Sequence, residues 1–589
     1  MVELVEMMLK LHKELPKVRV PMTISMCRSV LAVLVLCSAA YAATPAERLD
    51  SLGRAAYAAM WQFHPVDATR SGFHDHDREL GNYTSVRAAA LTARLKSFLV
   101  MLDRLDTTQL SLDGRIDREL LAGNIKMELF WLERRKLLER SPYFYAAECV
   151  NGVYYLLLFD FAPLPERAQS VAARLEAIPK FIRTARQNVK NPPQLNAGAA
   201  IEQLTSGSDF LRQSAGDLGA EVPELKGRLA VAADSAITAM LAWRAELQAQ
   251  LPRLGPDFAL GKRDYDYLLA NDKFLPFGSD SLLRFGERIF AWSDSAMKAQ
   301  NAAKAQFEQR YPPKPPVDEP APRGFKKQDY FAYQAAEVES MRAWVDRSNT
   351  ATVPDYVGRL AVTEVPSFLR SVIPGPAMEP PAPLDSVQTG YLYVTPLPET
   401  LDSASRHDLY NQTRNRGWRG GVVHEGFPGH YLQLSIANHN PSFIRKMQSN
   451  TPLIEGWALY CEQMVNEQRL YPDNGFPDLN WLGGVWFRAA RVIVDVKLQT
   501  GRMNYDDAVR FMTEKCWPDT EYFRKEVARY CLSPGQPMSY AVGKYQLLAL
   551  RDEYRQKMGE RFTLRDFHDR VLAEGSIPVP LIRRKLLAR

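Results

Sequence analysis

Two proline-dense runs, YPPKPPVDEPAPRG (311–324) and IPGPAMEPPAP (373–383), constrain this chain more than any other feature. Proline lacks the backbone donor a helix needs and biases the residue before it away from helix, so both runs make stiff loops. They separate a long stretch ending near residue 310 from a crossover region over 311–386 and a C-terminal part over 387–589. From Ala43 to about Glu308 the apolar spacing is helical. AERLDSLGRAAYAAMWQFHP is amphipathic and stops at a proline, and VNGVYYLLLFDFAPLP (150–165) is apolar enough for a buried helix. His74-Asp75-His76-Asp77 reads as a polar loop with capping aspartates, because two His one residue apart point away from each other in regular structure. The expected architecture is mainly α: a large, multi-helical, two-lobed fold with a deep cleft and minor β-strands.

Residues 1–42 read as an upstream extension followed by a secretory signal: Arg28, an apolar run from Val30 to Leu36, then small residues ending at Ala42. The apolar run is too short to span a bilayer, so no stable membrane span is expected after processing. This places the mature chain in the periplasm or outside the cell. Leu36 is a poor fit to the small residue that lipid attachment at Cys37 requires, so a lipoprotein is not expected. A net charge of +6 over 589 residues, with both signs interspersed, gives no support to a nucleic-acid partner. Cys149, Cys461, Cys516 and Cys531 lack paired metal-ligand spacing and read as buried thiols.

The chemistry concentrates in GVVHEGFPGHYLQ, starting at Gly421, and LIEGWALYCEQM, starting at Leu453. Two imidazoles and a carboxylate can bind Zn2+, and a further carboxylate beside the first His can act on water. His424 and His430 are six residues apart, which on an ideal helix puts the rings about 120° apart and about 9 Å along the axis. One ion could not hold both. Pro428 and Gly429 must therefore break the helix and swing His430 back. Glu455 and Glu462, seven residues apart, share a helix face but stand roughly 10 Å from each other along it. Only one can ligate directly. Glu455 is preferred, with Gly456 leaving space and Trp457 walling the pocket, and Glu462 steers a ligand or substrate.

Around these segments, TGYLYVTPLPE (389–399) alternates as a short strand in an edge sheet, where Tyr391 could face an extended substrate. VWFRAARVIVDVKLQTG places Arg488, Arg491 and Asp495 on one helix face, with Arg491 and Asp495 able to pair. The Pro534–Pro537 turn precedes Tyr540 and Lys544, one helical turn apart. Tyr540 is a candidate donor to a developing oxyanion, and Lys544 a candidate contact to substrate or to a carboxylate.

HEGFPGHYLQ, EGWALYCE, RAARVIVDVKLQTG, RYCLSPGQPMSYAVGK and FHDRVLAEGSIPVPLI together resemble a widespread bacterial family, domain of unknown function 885. That family is similar to zinc metallopeptidases with two His and one Glu as ligands. It often has His where this chain has Gln499. The resemblance implies a zinc-dependent hydrolase with His424, His430 and Glu455 on the metal, Glu425 as the proton acceptor and Tyr540 at the oxyanion. The expected substrates are peptides or other small amides in the exported compartment. The alternatives are a non-peptide amidase or esterase, or an inactive binding protein on the same scaffold.

Overall fold

The computed structural model describes residues 44–588 except 313–315, 366–376, 396, 399, 416, 418 and 472–478. The signal segment, with Cys37, thus lies outside the described residues. The first described helix, Pro45–Phe63, starts at Thr44, whose hydroxyl accepts from the Glu47 amide while Glu47 answers at the Thr44 amide. This reciprocal cap satisfies two of the donors a helix start leaves open. Long helices follow, among them Pro142–Leu158, Leu164–Asn188, Gln194–Glu221, Lys226–Gln250 and Ser279–Arg310. Of the apolar segment 150–165 noted in the sequence, residues 150–158 form the second half of the Pro142–Leu158 helix, and the chain leaves the helix at Phe159 before the next one starts at Leu164. The mainly helical expectation holds.

Among the described residues the strands form one small sheet of three: β1 (Leu360–Glu364), β2 (Ala377–Glu379) and β3 (Gly390–Val394). β3 lies in the middle, parallel to β1 with Leu360 opposite Gly390, and antiparallel to β2 with Ala377 opposite Tyr393. The expected strand is therefore present but is not an edge. Both its neighbours are taken, so its backbone has no free row of donors and acceptors for an extended peptide. Three of its four side chains are buried, and the exposed edge positions fall to strands the sequence pattern did not mark.

The largest apolar cluster draws on both sides of the proline-rich region, from Leu49 and Ala56 to Trp457, Ile577 and Ile582. The Thr451–Glu467 helix contributes Leu453, Trp457, Tyr460, Cys461, Met464 and Val465 to it. That helix is capped by Asn450, whose side chain accepts from the Leu453 amide, and has Pro452 in its first turn. It crosses Ser539–Met558 at backbone contact: a Cβ on Gly543 would sit 1.6 Å from the Pro452 carbonyl oxygen. No side chain fits there, and this close crossing sets Glu455 beside Tyr540. No helix among the described residues is long and apolar enough to cross a membrane. All four described cysteines are free thiols.

Candidate metal centre

The helix break lies where the sequence requires it. One short helix, Arg419–Glu425, ends just after His424, and the next, His430–Ala437, begins at the second His. Between them the Phe427–Pro428 peptide is cis, and Gly429 folds back over the end of the first helix. A Cβ on Gly429 would lie 1.9 Å from the His424 carbonyl oxygen, so only glycine permits the approach. The Pro428 carbonyl accepts from the Trp457 indole at 2.8 Å and from the Cys461 thiol at 3.7 Å. Trp457 thus pins the break to the helix that carries Glu455, a role beyond lining a pocket. The two imidazoles end with ring centres 4.9 Å apart and planes perpendicular.

One nitrogen each of His424 and His430 and one oxygen of Glu455 lie within 4.8 Å of one another, a group that could hold a metal ion. His430 Nε2 is 3.3 Å from Glu455 Oε2. Burial would raise the Glu455 carboxyl, but the hydrogen bond and charge of His430 outweigh it and hold the group down to about 2. Glu462 does something different. Its Oε1 accepts from His424 Nδ1 at 2.8 Å, which fixes that ring and leaves Nε2 with a lone pair. Burial opposes ionisation of Glu462 as well, and the same His424 bond keeps it below the usual carboxylate range. The division of labour between the two glutamates follows from their separation along the helix.

Glu425 is outside this donor set. It lines a cavity of about 590 Å³ together with His424, Glu462, Arg488 and Tyr540. Burial raises its carboxyl above the usual range, against the lowering effect of the His424 and His430 charges. Tyr540 is 9% exposed, with Arg491 4.3 Å and Arg488 5.4 Å from its ring centre. Its hydroxyl accepts from Gln536 Nε2 at 3.0 Å, and the same amide nitrogen reaches Glu455 Oε1 at 3.1 Å. Burial, followed by the Glu455 charge, raises the Tyr540 hydroxyl, so it keeps its proton. Gln536 Oε1 accepts in turn from Arg491 at 3.2 Å and Arg529 at 3.3 Å. Gln536 was missed as a site residue in the sequence. Its signal in the sequence is a polar side chain between Pro534 and Pro537, in a turn that two prolines and Gly535 fix.

Three expectations meet a different geometry. Arg491 and Asp495 do not pair. Asp495 accepts instead from Tyr265 at 3.0 Å and from the Gly535 amide at 3.1 Å, holding the turn, and burial pushes it up to about 7. Arg491 is drawn the other way, against the Tyr530 and Tyr540 rings. Lys544 is wholly buried with no hydrogen-bond partner for Nζ, 4.5 Å from the centre of the Trp481 ring, and burial lowers it to about 7. It is not among the residues lining the 590 Å³ cavity. Tyr391 is not brought to the cluster either: its hydroxyl donates to the Leu158 carbonyl at 2.9 Å. Gln499 is also structural, buried between the Leu260 amide and the Tyr530 carbonyl.

A mainly helical chain with a partly buried His–His–Glu cluster is the class these observations define. The chain belongs to the DUF885 family, bacterial proteins of unknown function, whose model matches residues 65–586. No curated protein matches it. Among solved structures it is similar to one from Shewanella oneidensis, provisionally described as a lipoprotein of unknown function. That likeness has 24% identity and a TM-score of 0.72, over 93% of this chain and 100% of the other. A second, from Colwellia psychrerythraea and also provisionally described as a lipoprotein, has 18% identity and a TM-score of 0.76, over 92% and 98%. At these identities the likeness establishes the fold. Both of those proteins are described as lipoproteins, which conflicts with the expectation against a lipoprotein and corrects it, since that expectation rested only on Leu36 preceding Cys37.

Proposed function

We propose that this protein is a zinc-dependent hydrolase of peptide or amide bonds in small substrates. The observation that carries the reading is a partly buried His424–His430–Glu455 donor set with a second carboxyl, that of Glu425, outside the set and on the cavity wall. Two imidazoles and one carboxylate suit Zn2+, and three protein ligands leave a position open. When bound, the cation supplies Lewis acidity toward a substrate carbonyl and toward water. Glu425 takes a proton from the attacking water and returns one to the leaving amine, and its raised pKa brings it closer to neutrality for both tasks. Glu462 keeps His424 in the tautomer that presents Nε2. The Tyr540 hydroxyl accepts from Gln536, so its own proton is free for the oxyanion. In this reading the cavity is the catalytic end of a substrate cleft.

The reading is tested by zinc analysis of the purified chain together with a screen of peptides, other amides and esters. Bound zinc and peptide or amide turnover are expected. A zinc-loaded chain that cleaves neither class sinks the proposal, and turnover of esters alone moves it to an esterase. Two variants refine it. Tyr540→Phe keeps the ring between its arginines and should lower turnover by roughly 100-fold with zinc and unfolding temperature unchanged. A nearly unchanged rate removes Tyr540 from the mechanism. Glu462→Leu strips the acceptor from His424 and should weaken zinc binding about 10- to 100-fold in equilibrium dialysis. Unaltered zinc affinity would show that His424 needs no such support.

A further inference from the structure

We propose that Arg488 receives a substrate carboxylate beside the metal centre, an inference that rests on the hydrolase reading above. Three guanidinium groups gather around Tyr540 and Gln536, and two of them are already engaged. Arg491 donates to Gln536 and lies against the Tyr530 and Tyr540 rings. Arg529 donates to Glu526 at 2.9 Å and to Gln536. Arg488 makes no hydrogen bond or ion pair among the described residues, and its Nε is buried without a partner.

What Arg488 does have is position. Its guanidinium carbon is 5.5 Å from the Phe487 ring centre and 5.4 Å from that of Tyr540, so aromatic contacts hold the group while leaving its donors unmatched. It lines the same cavity as Glu425 and His424. The Glu425 and Glu462 charges fall within its electrostatic reach, yet neither pairs with it, and Glu462 is committed to His424. A buried donor left unmatched is costly, and a planar fork of N–H groups matches a carboxylate with two parallel bonds. A cationic fork on the wall of a hydrolytic cavity selects substrates bearing a carboxylate and disfavours those bearing an amine at that point. The carboxylate has two sources, the C-terminus of a peptide or an acidic side chain.

The test uses the full mature chain with Glu425→Gln, which suppresses turnover so that binding is read alone by calorimetry. Three probes are compared: acetyl-Ala-Ala-Ala as the free acid, the same peptide as its C-terminal amide, and acetyl-Ala-Ala-Glu amide. The free acid or the Glu peptide should bind roughly 10- to 100-fold tighter than the neutral amide. Which of the two does so identifies the source of the carboxylate. Adding Arg488→Gln should abolish the preference while leaving the affinity of the neutral amide within about twofold. Arg488→Lys keeps a charge without the fork and should retain only part of the preference, which serves as the test if the Gln variant does not fold. Equal affinity for all three probes, no binding of any, or a preference that survives both replacements overturns the proposal. Failure of the hydrolase reading looks different: a wild-type chain that cleaves nothing while the Arg488-dependent preference persists.

Discussion

Glu425→Gln is expected to lower hydrolysis by about 10²- to 10⁴-fold while leaving zinc bound, because it removes a proton acceptor and keeps the side chain's shape. Glu425 ends the Arg419–Glu425 helix one residue after His424, and its carboxyl lies outside the His424–His430–Glu455 donor set. It lines the cavity with His424 and Tyr540. Burial raises its pKa above the usual carboxylate range, the direction a proton carrier needs. The variant should be examined for rate, zinc stoichiometry and unfolding temperature on one preparation. Near-normal turnover in a folded, zinc-loaded Glu425→Gln chain would remove the proposed proton transfer. Loss of zinc together with rate would instead place Glu425 among the ligands.

Glu455→Ala and His430→Ala should each weaken zinc binding by more than roughly 100-fold, beyond the effect expected of a supporting residue such as Glu462. Glu455 faces His430 Nε2 at 3.3 Å and accepts from Gln536 at 3.1 Å, so its removal also leaves the buried His430 and the half-buried Gln536 without their carboxylate. A loss of stability of about 3 to 5 kcal/mol is expected from breaking such a buried pair. Zinc affinity must therefore be measured below the unfolding transition of each variant. A folded Glu455→Ala chain that binds zinc at wild-type affinity would put the third ligand elsewhere. Glu462 is already held by His424, so it could serve only if that contact were released.

Much of this protein is legible locally. Helical spacing, caps and proline stops depend on neighbours within a few residues, so the Pro45–Phe63 helix and the Gly390–Val394 strand follow from the sequence pattern. The helix break between His424 and His430 is legible for the same reason. Pro428 cannot continue the helix, and Gly429 allows an approach no other residue permits. The separation of Glu455 and Glu462 along one helix likewise required that they play different parts.

Other features depend on partners far away in the chain. The pattern of β3 could not show that β1 and β2 flank it, because alternation reports faces and not neighbours. Arg491 and Asp495 have the spacing of an ion pair, but Tyr530 and Tyr540 claim one and Tyr265 and the Gly535 amide claim the other. Sequence by itself determined the donor types of the cluster, the break that lets two histidines converge, and the helical frame, since each rests on residue identity or on backbone geometry over a few residues. Tertiary structure decided that Glu462 grips His424, that Gln536 joins Glu455 to Tyr540, and that Arg488, unlike Arg491 and Arg529, makes no hydrogen bond among the described residues. The Gln536 bridge depends on the contact of Gly543 with Pro452 and Gly456, which sets the Thr451–Glu467 and Ser539–Met558 helices at backbone distance and so brings Glu455 beside Tyr540.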